Sequence, residues 1–167
     1  MKKIITIILV SLTVGFYSCG EYEPGGTATQ KLSGDWYVTG YVAAATAGEW
    51  DAITDPIEFT TYNTAANVAT QFFIDDLTHF WHFKGKVVCN VNNYTFGYNT
   101  DTIQNLTYDS KFLIYGGKVL KGLGKSFSGV TTDSIVFYVR FDDDATPYGV
   151  EYKIAGHRKT GFLEDLL

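Results

Sequence analysis

Apolar and polar residues alternate with a period of two along most of the chain from Leu32 onward, which is the pattern of β-strands that bury one face. Residues 134–141, SIVFYVRF, turn Arg140 outward and four apolar side chains inward, namely Ile135, Phe137, Val139 and Phe141. In residues 79–91, HFWHFKGKVVCNV, one face likewise carries Trp81, Phe83, Val87 and Cys89. No stretch of this region has the apolar stripe of an amphipathic helix. The alternation therefore predicts an all-β fold.

The number of alternating segments indicates how the sheet is arranged. Eight or nine strands with turn-rich links fit between Leu32 and Leu167. We therefore predict an eight- to nine-stranded antiparallel β-barrel, because a long twisted sheet tends to close and so removes its exposed edges. A two-sheet β-sandwich is the alternative, since it produces the same alternation. Gly122 and Gly124 predict a bulge or sharp corner in one strand, and residues 64–71 predict a short helix or a loop over one barrel mouth.

The first nineteen residues follow a different pattern. A short positive head, residues 1–3, precedes the apolar stretch IITIILVSLTVGF of thirteen residues. That stretch suits the core of a secretory signal, because a helix that spans a bilayer needs about 20 residues. Tyr17-Ser18-Cys19 resembles the lipobox of bacterial lipoproteins, in which the signal is removed and the cysteine is acylated. A soluble export signal cut elsewhere, with Cys19 left as a thiol, is the alternative.

These features divide the chain into three parts. Residues 1–18 are predicted to be a lipoprotein signal peptide, residues 19–31 the acylated cysteine with a flexible spacer, and residues 32–167 a single β-barrel domain. Each buried methylene of an acyl chain contributes about 0.8 kcal/mol, so two or three chains form a durable membrane anchor. The predicted location is the outer membrane, facing either the periplasm or the cell surface.

Charge and cysteine content narrow the expected partners. The formal net charge is −5, and removal of the two signal-peptide lysines makes the mature chain more acidic. Nucleic acid is not expected as a partner, because phosphate binding requires a basic stripe that the sequence lacks. With Cys19 acylated, the domain is expected to be held together by its core and not by a disulfide to Cys89. The sequence does not indicate an oligomeric state.

A short motif opens the first predicted strand. Gly34-Asp35-Trp36 resembles the G-x-W motif of lipocalins. In that family the tryptophan plugs the closed end of the barrel, and an arginine after the last strand lies across it. Arg158 follows the last predicted strand here, on the same face as Ile154. The resemblance therefore implies that Trp36 and Arg158 form a cation–π pair at one end of the barrel.

Five longer segments extend this resemblance over most of the mature chain. They are DWYVTGYV (35–42), TYNTAAN (61–67), FKGKVVCN (83–90), GKVLKGLGKSFSGVTTDSI (117–135) and GHRKTGFLED (156–165). These segments resemble a family of Bacteroidetes lipoproteins catalogued as lipid-binding putative hydrolases, which has a lipocalin-like fold. The resemblance implies lipid binding and leaves hydrolysis open, and no catalytic residue set carries over to this chain.

Few residues suggest catalysis. A serine hydrolase needs a nucleophile with a base in hydrogen-bond reach, yet the sequence has no G-x-S-x-G motif. The catalytic candidates are His79 near Asp75, His157 near a barrel rim, and Ser126. Their alternatives are a hairpin hydrogen bond for His79, a structural latch for His157 and a plain strand hydroxyl for Ser126. The acidic run 142–144 lacks the spacing of an EF-hand loop, and we expect neither a metal nor a cofactor.

The inward-facing aromatic residues suggest binding. Alternation directs five of them toward the barrel interior, where they form the predicted ligand-binding walls, namely Phe59, Trp81, Phe83, Phe137 and Tyr152. Each of them would equally serve as plain core. The leading hypothesis is an envelope-anchored, lipocalin-like lipoprotein that holds a small apolar or lipid-like ligand. The alternatives are a hydrolase acting on a lipid-like ester, and a non-enzymatic envelope interaction protein whose barrel is filled.

Overall fold

The computed structural model describes residues 25–97 and 101–167, so the predicted signal peptide and Cys19 lie outside the described residues. The strands in chain order are β1 (Gly34–Ala43), β2 (Trp50–Ala52), β3 (Ile57–Asn63), β4 (Gln71–Asp75), β5 (Lys84–Asn90), β6 (Thr95–Phe96), β7 (Ile103–Gln104), β8 (Lys111–Lys125), β9 (Thr131–Phe141) and β10 (Tyr152–Arg158). A short 3-10 helix, Leu163–Asp165, follows the last strand.

Eight of these strands close into an antiparallel barrel. Their order is β1, β3, β4, β5, β6, β8, β9, β10, and β10 pairs back onto β1. The closing register runs from Trp36 opposite Arg158 to Val42 opposite Tyr152. Strands β2 and β7 lie outside this ring and pair with β1 and β8 respectively. The predicted antiparallel barrel is therefore confirmed, and the β-sandwich alternative is wrong.

The longest strand, β8, bends at two irregularities in its pairing with β9. Its register shifts between Tyr115 and Lys118 and again between Leu120 and Gly124. The second shift contains Gly122, whose φ of +66° lies in the left-handed region that glycine adopts without a Cβ clash. The bulge predicted from the glycines is thus present. Residues 64–70 form the loop at one mouth of the barrel that was one of the two predicted alternatives, and β4 begins at Gln71.

The barrel interior is filled by the inward residues of the alternating strands. Phe59, Phe83 and Phe137 are fully buried near its centre. The ring of Phe59 lies 5.7 Å from that of Phe83 and 6.2 Å from that of Phe137, measured between centroids. Such tilted aromatic contacts add to the stabilisation from burying the rings themselves. The core is therefore a packed aromatic cluster running along the barrel axis.

The connecting segments gather at two ends of the barrel. We call one the Trp36 end, and its described parts are residues 25–33, 64–70, 91–94, 126–130 and 159–167. These parts contact one another, since the Ala28 amide donates to Asn67 Oδ1 at 2.8 Å and the Lys31 ammonium lies over the Tyr94 ring. We call the other the acidic end, and it comprises residues 44–49, 53–56, 76–83, 105–110 and 142–151.

At the Trp36 end, the motif tryptophan is buried and held in one orientation. Trp36 Nε1 donates a hydrogen bond to Thr61 Oγ1 at 2.9 Å, and that hydroxyl donates to the Leu32 carbonyl at 2.8 Å. The Arg158 guanidinium lies 4.5 Å from the centroid of the Trp36 ring, which places a cation on its π-face. Trp36 is entirely buried beneath it.

Arg158 also connects β10 to β9 and to the segment that precedes β1. Its Nη1 donates to the Ser33 carbonyl at 2.7 Å, and its Nε lies 3.3 Å from Asp133 Oδ2. A Cβ at Gly34 would overlap the guanidinium, so the glycine of the motif leaves the space that Arg158 occupies. Burial raises the pKa of Asp133, but bonds from Lys121 and the Gly122 amide, with nearby positive charges, bring it below its usual value.

The C-terminal segment is fastened to the β8–β9 hairpin through one carboxylate. Buried Asp165 accepts a hydrogen bond from the Ser128 amide at 2.6 Å and another from the Thr160 hydroxyl. Burial opposes ionisation of Asp165, but these bonds and those from the Ser126 and Ser128 hydroxyls lower its pKa to about 2. We call this arrangement the C-terminal clasp.

Replacing Arg158 by alanine should lower the free energy of unfolding by about 2–3 kcal/mol, because it removes a desolvated cation–π contact and a charge-assisted hydrogen bond. Urea denaturation measures this loss. The matched control is Lys153→Ala, whose ammonium lies 5.4 Å from the rings of both Tyr41 and Trp50 on the outer surface. Its loss should stay below about 1 kcal/mol. Equal losses for the two variants would contradict a special role for Arg158.

The clasp predicts an acid-dependent stability. Since the pKa of Asp165 is lower in the folded than in the unfolded chain, its contribution is present above the ordinary pKa and is lost as the pH falls through about 2. Asp165→Asn should therefore be less stable than the wild type near neutral pH, and the two should converge between about pH 4 and pH 2. Glu164→Gln, at the exposed neighbouring position, should match the wild type throughout. A difference that persists unchanged at the acid limit would contradict this assignment.

Candidate functional site: a cleft in the barrel wall

The five predicted wall residues occupy two different places. Phe59, Phe83 and Phe137 belong to the buried core, where the Phe59 ring contacts each of the other two. Trp81 and Tyr152 lie instead at the acidic end, where their ring centroids are 5.3 Å apart. All five belong to the buried core or pack against it, and Phe141 contacts both Phe83 and Tyr152. Trp81 and Tyr152 also form a cap over this core.

The cap at the acidic end combines stacked rings with acidic acceptors. The Trp81 ring stacks on Phe141 at 4.7 Å and 8°, and its Nε1 donates to Asp143 at 3.0 Å. The Tyr152 hydroxyl donates to Asp144 at 3.0 Å, and burial together with that carboxylate raises its pKa to about 12. A shallow cavity of about 270 Å³ beside the cap is lined by Phe80, Trp81, His82 and Tyr108.

A larger feature lies in the side wall between β5 and β8. These strands are bridged at one point by β6, where Phe96 pairs with Cys89 on β5 and with Gly117 on β8. Nearer the acidic end, β7 pairs with β8 through Ile103 opposite Phe112. Among the described residues, β7 has no strand pairing with β5, and the Leu106 amide that follows β7 donates to the Lys84 carbonyl at 2.9 Å. In the described part of the chain, the barrel wall is therefore open between this contact and β6.

The shortness of β6 has a local cause. The residue after it, Gly97, adopts a φ of +63° and lies against Ile114 of β8. A Cβ at Gly97 would lie 2.8 Å from the Ile114 carbonyl oxygen, closer than real Cβ contacts allow. The positive φ turns the chain away from the ladder, so regular pairing ends after Phe96.

The opening forms a cleft of about 430 Å³, which is within the size range of small-molecule sites. Its apolar lining consists of Val87, Val88, Ile103, Leu106 and Ile114. Val87 and Ile114 are buried inward residues that form the floor, whereas Leu106 is 57% exposed at the rim. Its polar lining comprises Lys86, Asp101, Thr102 and Gln104. We call this feature the wall cleft.

The wall cleft was not found by sequence reasoning, although one signal was present. Val88 stands on the outward face of β5, where its neighbours on the same face are Lys86 and Asn90. An apolar residue between polar ones on an outer face is compatible with a covered position, but a single one is common on protein surfaces and specifies no site. The pairing that leaves β5 and β8 apart depends on Gly97 and on strand register, which no local pattern specifies.

Cys89 of β5, the strand that lines the wall cleft, carries a buried thiol of low reactivity. Cys89 is 2% exposed, and its Sγ lies 3.5 Å from the Ala69 carbonyl oxygen. Burial raises the pKa of this thiol to about 11, so little thiolate is present at neutral pH. Cys89 therefore behaves as a core residue of β5.

The structure separates the four catalytic candidates into two pairs. Near the acidic end, Asp75 forms an ion pair with Lys84 at 3.0 Å and accepts a bond from the Tyr62 hydroxyl. His79 is exposed there, with Nδ1 3.3 Å from the Glu58 carbonyl oxygen. Both polar groups are thus engaged in local contacts of the β3–β4–β5 region.

The second pair, His157 and Ser126, lies beside the C-terminal clasp. The His157 ring packs edge-on against Phe127 at 4.9 Å, and burial lowers its pKa. Its Nε2 is buried and has no hydrogen-bond partner in the described structure. Ser126 Oγ instead accepts the Val130 amide at 3.1 Å within the hairpin. Among the described residues, no hydrogen bond joins Ser126 to His157, the contact that nucleophilic catalysis by this pair would use.

The described residues were also considered for a metal site and for a membrane-spanning helix. They contain no group of three or more His, Cys, Asp or Glu side chains that could hold a metal ion. In the same part of the chain, no helix has the length and apolarity that a membrane span requires.

Comparison with known proteins bears on the function of the cleft. A search of curated proteins gave no significant match. Residues 21–163 match the model of a family described as lipid-binding putative hydrolase. The barrel and its buried aromatic cluster fit the lipid-binding part of that description. The chain, with its closed lipocalin-like barrel, belongs to the lipid-binding putative hydrolase family.

Proposed function

We propose that this protein is an envelope-anchored lipoprotein that binds an acyl chain or a similar lipid-like ligand in its wall cleft. The observation that carries the proposal is the cleft itself, an apolar opening of about 430 Å³ in the wall of a barrel from a lipid-binding family. The ligand site lies between strands and not on the barrel axis, because the axis is occupied by Phe59, Phe83 and Phe137.

The lining of the wall cleft suits an amphipathic molecule. An acyl chain against Val87, Val88 and Ile114 would leave water, and each buried methylene contributes about 0.8 kcal/mol. Lys86 and Asp101 stand among the polar lining residues, where they would meet a charged or hydrogen-bonding head group. A few polar groups that fix orientation beside an apolar surface are typical of small-molecule sites.

The proposed anchor is acylated Cys19. The positive head, the apolar stretch of thirteen residues and the lipobox-like Tyr17-Ser18-Cys19 support it. Acylation would hold the barrel at a membrane surface, where lipid-like ligands are concentrated. The outer membrane, on its periplasmic or cell-surface side, is the proposed location.

A second candidate is an envelope interaction protein with a filled barrel. The packed contacts among Phe59, Phe83 and Phe137 favour it, because they leave the axis without room for a ligand. The two candidates differ in what the wall cleft does. In the lipid-binding protein the wall cleft holds an acyl chain, whereas in the interaction protein it binds none.

The anchor predicts a defined mature form. Protein purified from a bacterial host that processes lipoproteins should begin at Cys19 and carry the added mass of its acyl chains in intact-mass spectrometry. Cys19→Ser should lose that mass and leave the membrane fraction. Cys89→Ser is the matched control and should keep both, since Cys89 is buried in the barrel. An unmodified chain that begins at another residue would refute the proposed anchor.

The cleft predicts a localised loss of binding. Leu106→Asp places a charge on the apolar rim and should weaken binding of a fluorescent long-chain fatty acid at least about tenfold, the effect of losing one buried leucine contact. Ile53→Asp is the matched control, because Ile53 is 46% exposed in the β2–β3 link and does not line the cleft. Equal affinity of the two variants would place the ligand elsewhere, and an absence of binding by the wild type would favour the second candidate.

A further inference from the structure

Exposed apolar side chains are concentrated at the Trp36 end. Phe127 and Val130 of the β8–β9 hairpin are 46% and 40% exposed. Phe162 and Leu163 of the C-terminal segment are 53% and 82% exposed. We call these four residues the apolar patch. Apolar side chains that gather at one place on a surface mark a contact with another molecule or with a membrane.

The apolar patch is held in place by the fold. The C-terminal clasp joins its two segments, since the Ser128 amide donates to Asp165 at 2.6 Å. One side of the Phe127 ring packs on Tyr37 at 5.3 Å and on His157 at 4.9 Å, which leaves its other side exposed. A preformed apolar surface binds without the entropic cost of ordering it first.

The position of the proposed anchor selects a lipid surface as the occupant. The described chain begins at Gly25 and reaches the Trp36 end by Ala28, whose amide is bonded to Asn67. Cys19 precedes Gly25 by six peptide steps, which span at most about 20 Å in any conformation. Acyl chains on Cys19 would therefore keep the Trp36 end, with its apolar patch, close to the bilayer.

The distribution of charge agrees with this orientation. The described loops of the acidic end contain no lysine or arginine and carry Glu49, Asp55, Asp76, Asp109, Asp142, Asp143, Asp144 and Glu151. The described segments of the Trp36 end carry Lys31 and Lys159 against Glu164 and the buried Asp165. An anionic membrane surface repels the acidic end, and it does not repel the Trp36 end, where positive and negative charges balance. The Trp36 end, which carries the apolar patch, is thus also the end whose charge allows it to approach anionic lipid.

We propose that the apolar patch is a membrane-contacting face, in which Phe127, Val130, Phe162 and Leu163 enter the interfacial region of the bilayer. Aromatic and leucine side chains of this kind are the ones that bury into the boundary between head groups and acyl chains. The inference rests on the proposed anchor for its proximity to lipid. With both in place, the barrel stands on the membrane with its acidic end toward the solvent.

The test measures the depth of a fluorophore in the bilayer. Full-length protein carrying Phe162→Cys is labelled with an environment-sensitive dye and reconstituted in vesicles of phosphatidylethanolamine and phosphatidylglycerol. Ile53→Cys is the matched control, because Ile53 is similarly exposed on the opposite side of the molecule. Buried Cys89, with its raised pKa, should react little with the dye. Leu163→Cys serves as a second position if the first variant does not fold.

Spin-labelled lipids should quench the dye at position 162 several-fold more than at position 53, and a water-soluble reductant should bleach it several-fold more slowly. Equal quenching and bleaching at the two positions would overturn the membrane-contacting face. So would protection of position 162 without vesicles, which would indicate a second copy of the chain as the occupant.

Intact-mass spectrometry of the same sample separates this inference from the proposed anchor. Acylated Cys19 with an unquenched dye at position 162 would refute the face and retain the anchor. An unmodified Cys19, together with a dye that is still strongly quenched in the Cys19→Ser, Phe162→Cys double variant, would refute the anchor and retain the face.

Discussion

The pairing of β10 with β1 is the contact on which the rest of this structure depends. It converts a curled sheet into a closed barrel, so that neither strand presents an exposed edge. The backbones approach closely along this seam, and a Cβ at Gly156 would overlap the Tyr37 carbonyl. At the end of the seam, Arg158 opposes Trp36 in register and covers its ring. Closure and capping are therefore achieved by the same two strands.

Once the barrel is closed, the size of its aromatic side chains decides where a ligand fits. Eight antiparallel strands enclose an interior that side chains alone can fill. Here Phe59, Phe83 and Phe137 do so, and Trp81 stacked on Phe141 caps one end. Lipid binding in such a barrel must use its wall or its surface. The wall cleft and the apolar patch are two features of the described chain that offer apolar area to an outside molecule.

The sequence predicted the fold well because closure follows from many local patterns that agree. Period-two alternation identified the buried face of β9, and Gly122 indicated the bulge in β8. Tyr37 shows where this reasoning stops. Alternation places it on the outer face, yet it is 2% exposed, because Phe127 and Lys159 from distant segments pack over it. Burial that depends on contacts with distant segments does not appear in the local alternation of apolar and polar residues.

The candidate site was harder to predict for the same reason. Inward direction was read correctly for Phe59 and Phe137, but alternation does not distinguish a ring that lines a cavity from one that fills it. The wall cleft arises from an absence of pairing between β5 and β8, and sequence patterns report elements that form, not gaps between them. Strand β6 is only Thr95–Phe96, too short for a period-two pattern to identify.

The brevity of β6 has a consequence for the motions of the barrel. Between β5 and β8 the described wall is held by the two-residue strand β6 and few other backbone hydrogen bonds, whereas the neighbouring β8–β9 ladder is long. Local opening requires less free energy where fewer contacts are broken, and it precedes global unfolding. Amides of β6 and β7 should accordingly exchange with solvent faster than those of β9. The wall beside the wall cleft is thus where the barrel should open first, while the aromatic core stays packed.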